Sequence, residues 1–264
     1  MNPFENLLLE EHGDVLLVRM NRPDQANAFD RGLSNDMATL ANRLGTSWKP
    51  RAIVLTGAGK AFSAGGDVKS MVEAIEQGPA ALSELLLDLT GAMNNAMSRI
   101  LSYGVPVIAA VDGAAAGAGF SVACACDLVI ASPKAVFVPA YVGLGFTPDV
   151  GLTYHLPRLV GSRKAWDIIA RNRKIVAAEA LELGLITELH DGDTPLVERA
   201  LEIAQELARQ PAGALRELRH LLAASYDNSY HQQAELEARA MAGLASTDET
   251  LQQVKAVVAA TVRK

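Results

Sequence analysis

Two glycine-rich turns, each fed by an apolar β-branched run and each opening into a helical pattern, constrain this chain more than any other feature. The first, Ala61-Phe-Ser-Ala-Gly-Gly-Asp67, follows Arg51-Ala-Ile-Val-Leu-Thr56. The second, Gly113-Ala-Ala-Ala-Gly-Ala-Gly119, follows Val105-Pro-Val-Ile-Ala-Ala-Val111. Repeated β-turn-α units imply a parallel sheet joined by crossover helices. Residues without bulk let a ligand approach the main chain, and the first turn of a helix leaves its N–H groups unpaired. Two such turns side by side aim two donors at one oxygen, which is how an oxyanion is stabilised.

The rest of the pattern agrees with an α/β core. Leu7–Glu10 and Val15–Met20 flank His12-Gly13-Asp14 and read as a hairpin, which Asn21-Arg22-Pro23 ends. Apolar spacing predicts helices over about Leu33–Leu44, Val68–Ile75 and Leu82–Ser102, and a small-residue helix over Gly117–Cys126. Asp127–Ala131 and Ala135–Val138 read as short strands. From Ser162 onward the pattern is almost wholly helical, with Gly184 as the stop signal after Ala177–Leu183 and a short extended run over Leu185–Leu189. The division expected is a core over residues 1–195 and a helical region over 196–264.

Composition removes several function classes. Half of the 264 residues are hydrophobic, so a sizeable core is available. The net charge of −6 is scattered, with none of the basic stripe that nucleic-acid binding needs. Cys124 and Cys126 are the only cysteines and have no ligand neighbours at metal spacing, so no metal is expected. The opening Met1-Asn-Pro-Phe-Glu-Asn lacks the basic-then-apolar order of a signal peptide, and Val105–Val111 is too short to cross a bilayer. The expectation is a cytoplasmic protein without a membrane partner.

Several separate segments together resemble the crotonase, or enoyl-CoA hydratase/isomerase, superfamily. They are Asn21-Arg-Pro23 with Asn27-Ala28, Leu55-Thr-Gly57, Ala61–Asp67, and Val111-Asp-Gly-Ala-Ala-Ala-Gly-Ala-Gly119. Cys126-Asp-Leu, Leu156-Pro-Arg-Leu-Val-Gly161 and Ala178-Glu-Ala-Leu-Glu-Leu-Gly-Leu185 continue the match in the family's order. The resemblance implies a crotonase-like spiral of β-β-α units with a helical C-terminal region for oligomerisation, as a homotrimer or a dimer of trimers. It also implies an acyl-CoA thioester as ligand, a place in fatty acid metabolism, and no cofactor beyond the coenzyme A of the substrate. In the family the thioester oxygen sits between two backbone N–H groups, which correspond here to Gly66 and Ala118. The adenine end lies against backbone matching Ala26 and Ala64, and Gly117 flanks the second donor.

The same resemblance exposes a gap. The family's hydratases carry two glutamates, at positions that Ser121 and Tyr141 occupy here. Adding water to a double bond needs one group to activate the water and another to manage the α-proton. Ser121 has no evident base, and a phenol titrating near 10 is a poor base at neutral pH. Ordinary hydratase chemistry is therefore disfavoured. Asp149, in Phe146-Thr-Pro-Asp-Val-Gly151, remains. Double-bond isomerases of the family are similar at Gly-x-x-Pro-Asp-x-Gly and use that aspartate, because moving a double bond needs one base. The alternative is that Asp149 caps the helix starting near Leu152.

Other candidates carry less. Asp67 reads as a helix cap at the edge of the binding region, and Tyr141 as pocket wall, with hydrogen-bond donation the alternative. The acyl pocket is expected to take its apolar wall from Val68–Ser102. Lys69, Arg22 and Lys255 are candidates for CoA phosphates. Gly119-Phe-Ser121-Val-Ala123 approaches a hydrolase nucleophile elbow, with His155, His190, His220 and His231 downstream, but none of these histidines sits in a distinctive motif. A dinucleotide reading fails because Val122 stands where the third glycine belongs.

Overall fold

In the computed structural model, which describes residues 3–262 (side chains to 259), the hairpin pairs Leu7–His12 (β1) with Val15–Met20 (β2). A 3-10 turn at Pro23–Gln25 precedes Arg31–Arg43 (α1), whose N-terminus Asp30 caps by accepting from Leu33 N–H at 2.8 Å. Three passes follow with one plan: a long strand, a short strand, then helix. Ala52–Gly57 (β3) and Ala61–Ser63 (β4) lead to Val68–Gln77 (α2) and Pro79–Ser102 (α3). Val107–Val111 (β5) and Ala114–Ala116 (β6) lead to Ala118–Ala125 (α4). Leu128–Ala131 (β7) and Val136–Val138 (β8) lead through a 3-10 turn at Val142–Leu144 to Leu152–Val160 (α5). Ser162–Ala170 (α6), Ile175–Val176 (β9), Ala177–Glu182 (α7) and Glu188–Leu189 (β10) complete this part. The remainder is Leu196–Ala208 (α8), Ala212–Ala224 (α9), Tyr230–Ala245 (α10) and Asp248–Val262 (α11).

The alternation of long and short strands makes two sheets rather than the single one implied by β-turn-α repetition. One has the order β1-β2-β3-β5-β7-β10, and the other β4-β6-β8-β9. Apart from the β1–β2 hairpin and the β8–β9 pair, every pairing is parallel. This is the spiral of β-β-α units that the resemblance implied. The long strands are buried on both faces, which is why Val15–Val18 and Ala52–Leu55 read as unbroken apolar runs without alternation. Around them pack Leu33, Met37 and Leu40 of α1 and Met93, Met97 and Ile100 of α3, all in one core. Phe62, Phe120 and Phe137, on or beside the short strands, are almost wholly enclosed. Such burial stabilises by roughly 1.5–3 kcal/mol per large apolar side chain.

The chain forms two compact units that divide after Gln205, inside α8. The boundary at 195/196 read from the sequence falls at the start of that helix. In the second unit no residue of α9 or α10 is buried. Among the described residues no helix is long and apolar enough to cross a membrane.

Candidate active site

The two glycine turns meet because the strands that feed them pair. β4 and β6 run parallel, with Ala61 opposite Ala114 and Ser63 opposite Ala115, so both turns leave the sheet side by side. Gly65 (φ +88°) has no room for a side chain: a Cβ there would stand 2.7 Å from the Ala116 carbonyl oxygen and 3.2 Å from Gly117 Cα. Gly117 (φ +51°, ψ −124°) is itself outside ordinary side-chain territory and forms the N-cap of α4. Around this junction the neighbouring amides are in use. Gly65 N–H donates to Ser63 Oγ at 3.2 Å, Asp67 N–H to Phe29 O at 3.0 Å, and Gly117 N–H to Val138 O at 2.9 Å. The amides of Gly66 and Ala118 have no acceptor among the described residues. Gly66 and Ala118 line the same cavity, of about 580 Å³.

Asp149 lines that cavity too. It does not cap α5: the N-cap is Gly151, with no side-chain capping bond. Instead its carboxylate accepts hydrogen bonds from two hydroxyls. Tyr141 OH donates to Oδ1 at 2.6 Å, and Thr90 Oγ1 donates to Oδ2 at 3.0 Å. Tyr141 thus has the donor role that sequence reading held as its alternative, while also forming part of the wall. Its hydroxyl lies 2.9 Å from Ser121 Oγ, and Ser121, on α4, also reaches the Gly117 carbonyl at 3.2 Å. Burial pushes the phenol well above its ordinary range, and the Asp149 charge adds to the effect, so at neutral pH the phenol is a donor. The loop carrying both residues has left-handed backbone at Ala140 (φ +57°) and Val150 (φ +47°). A β-branched residue in that region is strained.

The other sequence candidates fall in different places. Ala64 and Gly117 line the cavity, whereas Ala26, Asp67 and Ser121 do not. Ala26 is joined to Ala64 by its carbonyl, which accepts Ala64 N–H at 2.9 Å. Asp67 caps α2 through Ser70 N–H at 3.2 Å and holds Arg22 at 3.0 Å. Arg22 also pairs with Asp30 at 2.9 Å, so this candidate for CoA phosphates is occupied inside the fold. Lys69 is well exposed and lies 3.9 Å from Glu73. Ser121 is fully buried and its hydroxyl is bonded to Tyr141 and Gly117 rather than to a histidine, which removes the hydrolase alternative. Composition predicts the apolar wall along α3, whereas Thr90 within it carries no sequence signal. No group of three metal-ligating side chains occurs among the described residues.

Comparison with known proteins places this geometry in context. The enoyl-CoA hydratase/isomerase family model matches residues 10–259. The 1,2-epoxyphenylacetyl-CoA isomerase of Escherichia coli (strain K12) is 32% identical over 234 residues, covering 89% of this chain and 88% of that protein. The short-chain-enoyl-CoA hydratase of Clostridium acetobutylicum is 35% identical over 215 residues, covering 81% of this chain and 79% of that protein. Among solved structures, an enoyl-CoA hydratase/isomerase from Cupriavidus metallidurans CH34 superposes with a TM-score of 0.87 at 34% identity, covering 98% of this chain and 95% of that one. The names of the curated relatives are mixed, with isomerase, hydratase and dehalogenase all among them.

Proposed function

The chain belongs to the enoyl-CoA hydratase/isomerase family, and on that premise we propose that it is an acyl-CoA isomerase that shifts a carbon–carbon double bond, converting a 3-enoyl-CoA to a 2-enoyl-CoA. Asp149 removes a proton from C2. The electron pair moves onto the thioester oxygen, giving a dienolate whose charge faces the Gly66 and Ala118 amides. Asp149 then returns the proton to C4, and the carbonyl re-forms with the double bond between C2 and C3. One oxyanion donor typically contributes about 2.7–4 kcal/mol to the transition state, so two supply a large share of what an enolate needs.

One observation carries the reading. A single carboxylate shares the cavity with two unengaged amides, while positions 121 and 141 hold hydroxyls that are already bonded to each other. That arrangement suits one-base chemistry and lacks a second carboxylate to activate water. The likeness to a protein named as a 1,2-epoxyphenylacetyl-CoA isomerase supports the same side of the family.

The test follows conversion of trans-3-hexenoyl-CoA to the conjugated 2-enoyl thioester. Asp149→Asn is expected to lower kcat by at least about 100-fold, the usual contribution of a general base, while affinity for the thioester is retained. An unchanged rate removes Asp149 from the mechanism. Appearance of 3-hydroxyacyl-CoA from crotonyl-CoA, at rates exceeding isomerisation, replaces this reading with a hydratase that uses other residues.

A further inference from the structure

We propose that Thr90 and Tyr141 act as paired positioning residues that fix the Asp149 carboxylate from two sides, so that the proton it takes from C2 is the one it delivers to C4. This rests on the isomerase reading and names how the same site keeps its proton.

A carboxylate offers about four lone-pair sites and turns freely unless donors hold it. Here each oxygen accepts one hydroxyl, Oδ1 from Tyr141 at 2.6 Å and Oδ2 from Thr90 at 3.0 Å. The donors come from separate parts of the fold: Thr90 from the middle of α3, and Tyr141 from the loop after β8. Their grip therefore defines the plane of the carboxylate and leaves lone pairs on both oxygens for substrate. Tyr141 is braced in turn by Ser121 Oγ of α4 at 2.9 Å. The left-handed backbone at Ala140 and Val150 brackets the segment that carries Tyr141 and Asp149. Strain of that kind persists where the surroundings over-determine a geometry. Because burial keeps the phenol protonated, its hydrogen bond is present throughout the neutral range.

The consequence is specific to a base that must use one proton twice. A held carboxyl group returns its proton to C4 before solvent replaces it. A loosely held one rotates away from the dienolate and exchanges first.

The experiment compares the wild type with Thr90→Val, Thr90→Ser and Tyr141→Phe in D2O. It records kcat and KM for trans-3-hexenoyl-CoA, the deuterium content of the 2-enoyl product, and the rate of C2 hydrogen exchange into butyryl-CoA. Thr90→Val and Tyr141→Phe are expected to lower kcat by about 10- to 100-fold, the scale of a misplaced reacting group, and to leave KM within about threefold. Both are expected to raise the deuterated fraction of product, and Thr90→Ser is expected to restore wild-type values. Unchanged deuterium content in folded Thr90→Val and Tyr141→Phe overturns the proposal, as does failure of Thr90→Ser to restore it. If the wild type exchanges C2 hydrogens without moving the double bond, the isomerase reading fails, and slower exchange in the two variants still supports the positioning. A wild type that catalyses neither reaction overturns both.

Discussion

Tyr141 places a phenol against a carboxylate in a nearly closed setting, at 8% exposure, and that position has a consequence for stability. An unfolded tyrosine loses its proton near 10, whereas burial, and secondarily the charge of Asp149, holds the native phenol protonated beyond that value. Above pH 10 the unfolded chain therefore binds fewer protons at this residue than the native one, and stability falls as pH rises through that window. Below pH 10 the two states bind the same proton and no dependence arises here. Urea melts at pH 9, 10 and 11 are expected to show a steeper loss for the wild type than for Tyr141→Phe; parallel losses would show that the phenol ionises as freely in the fold as outside it. The members of this network differ in how visible they are in sequence. Asp149 stands in a local motif, Gly145-Phe-Thr-Pro-Asp-Val-Gly151, whose residues are neighbours in the chain. Thr90 meets Asp149 across 59 positions, on a helix where one hydroxyl among leucines reads as an ordinary polar residue. No spacing rule connects them, because the contact exists only after α3 has packed.

At the scale of elements, the turn after β2 is fixed to the start of α2 by charge. Arg22 donates to Asp67 and pairs with Asp30, and its guanidinium also reaches the Ala28 carbonyl. The side chains of Arg22 and Asp67 are only 14% and 9% exposed, so water cannot replace either partner. Removing one member of such a pair leaves the other charge buried alone, a loss of about 3–5 kcal/mol, whereas removing both is milder. Arg22→Met is thus expected to lower the unfolding free energy strongly, and Arg22→Met with Asp67→Asn to recover part of it, in denaturant melts. A single-variant loss no larger than that of an exposed ion pair would mean that the turn is held by its backbone bonds alone. Sequence patterning offers Arg22 as a candidate for CoA phosphates and not as a member of an ion pair, since the partner carboxylates lie in other segments. The long strands were readable because double-sided burial writes unbroken apolar runs, as at Val107–Val111. Of the second sheet only Val136–Val138 was readable, because Ala61–Ser63 and Ala114–Ala116 are three residues each and share their segments with the glycine turns. The two-residue strand β9 carries no periodicity, whereas β10 lies inside the extended run read over Leu185–Leu189.

For the whole molecule, the two units present different kinds of surface. The first encloses a large apolar core around the sheets, although Leu87 (72%) and Trp166 (77%) stand in water. In the second, Leu222 is 61% exposed, Met241 74% and Val254 55%, and these residues line one apolar groove across α9, α10 and α11. Helices with this much apolar side chain in water gain little from tertiary packing, which is where most helical stability in proteins originates. Contiguous apolar surface is typical of an association face, and what the family resemblance implies as its cover, further copies of the chain in a homotrimer or a dimer of trimers, is open to test. Sedimentation velocity at micromolar concentration is then expected to give a mass three or six times the 28.0 kDa of one chain. The double variant Leu222→Glu, Met241→Glu puts two carboxylates on that face and is expected to return a single-chain species. Because α9 and α10 bury no side chain within one chain, the same variant is expected to lose protection of this region in hydrogen exchange, while the strands β2, β3 and β5 keep theirs. A wild type that sediments as one chain, with α9 and α10 protected, would show that the groove is satisfied without a second copy and that assembly is not what stabilises these helices.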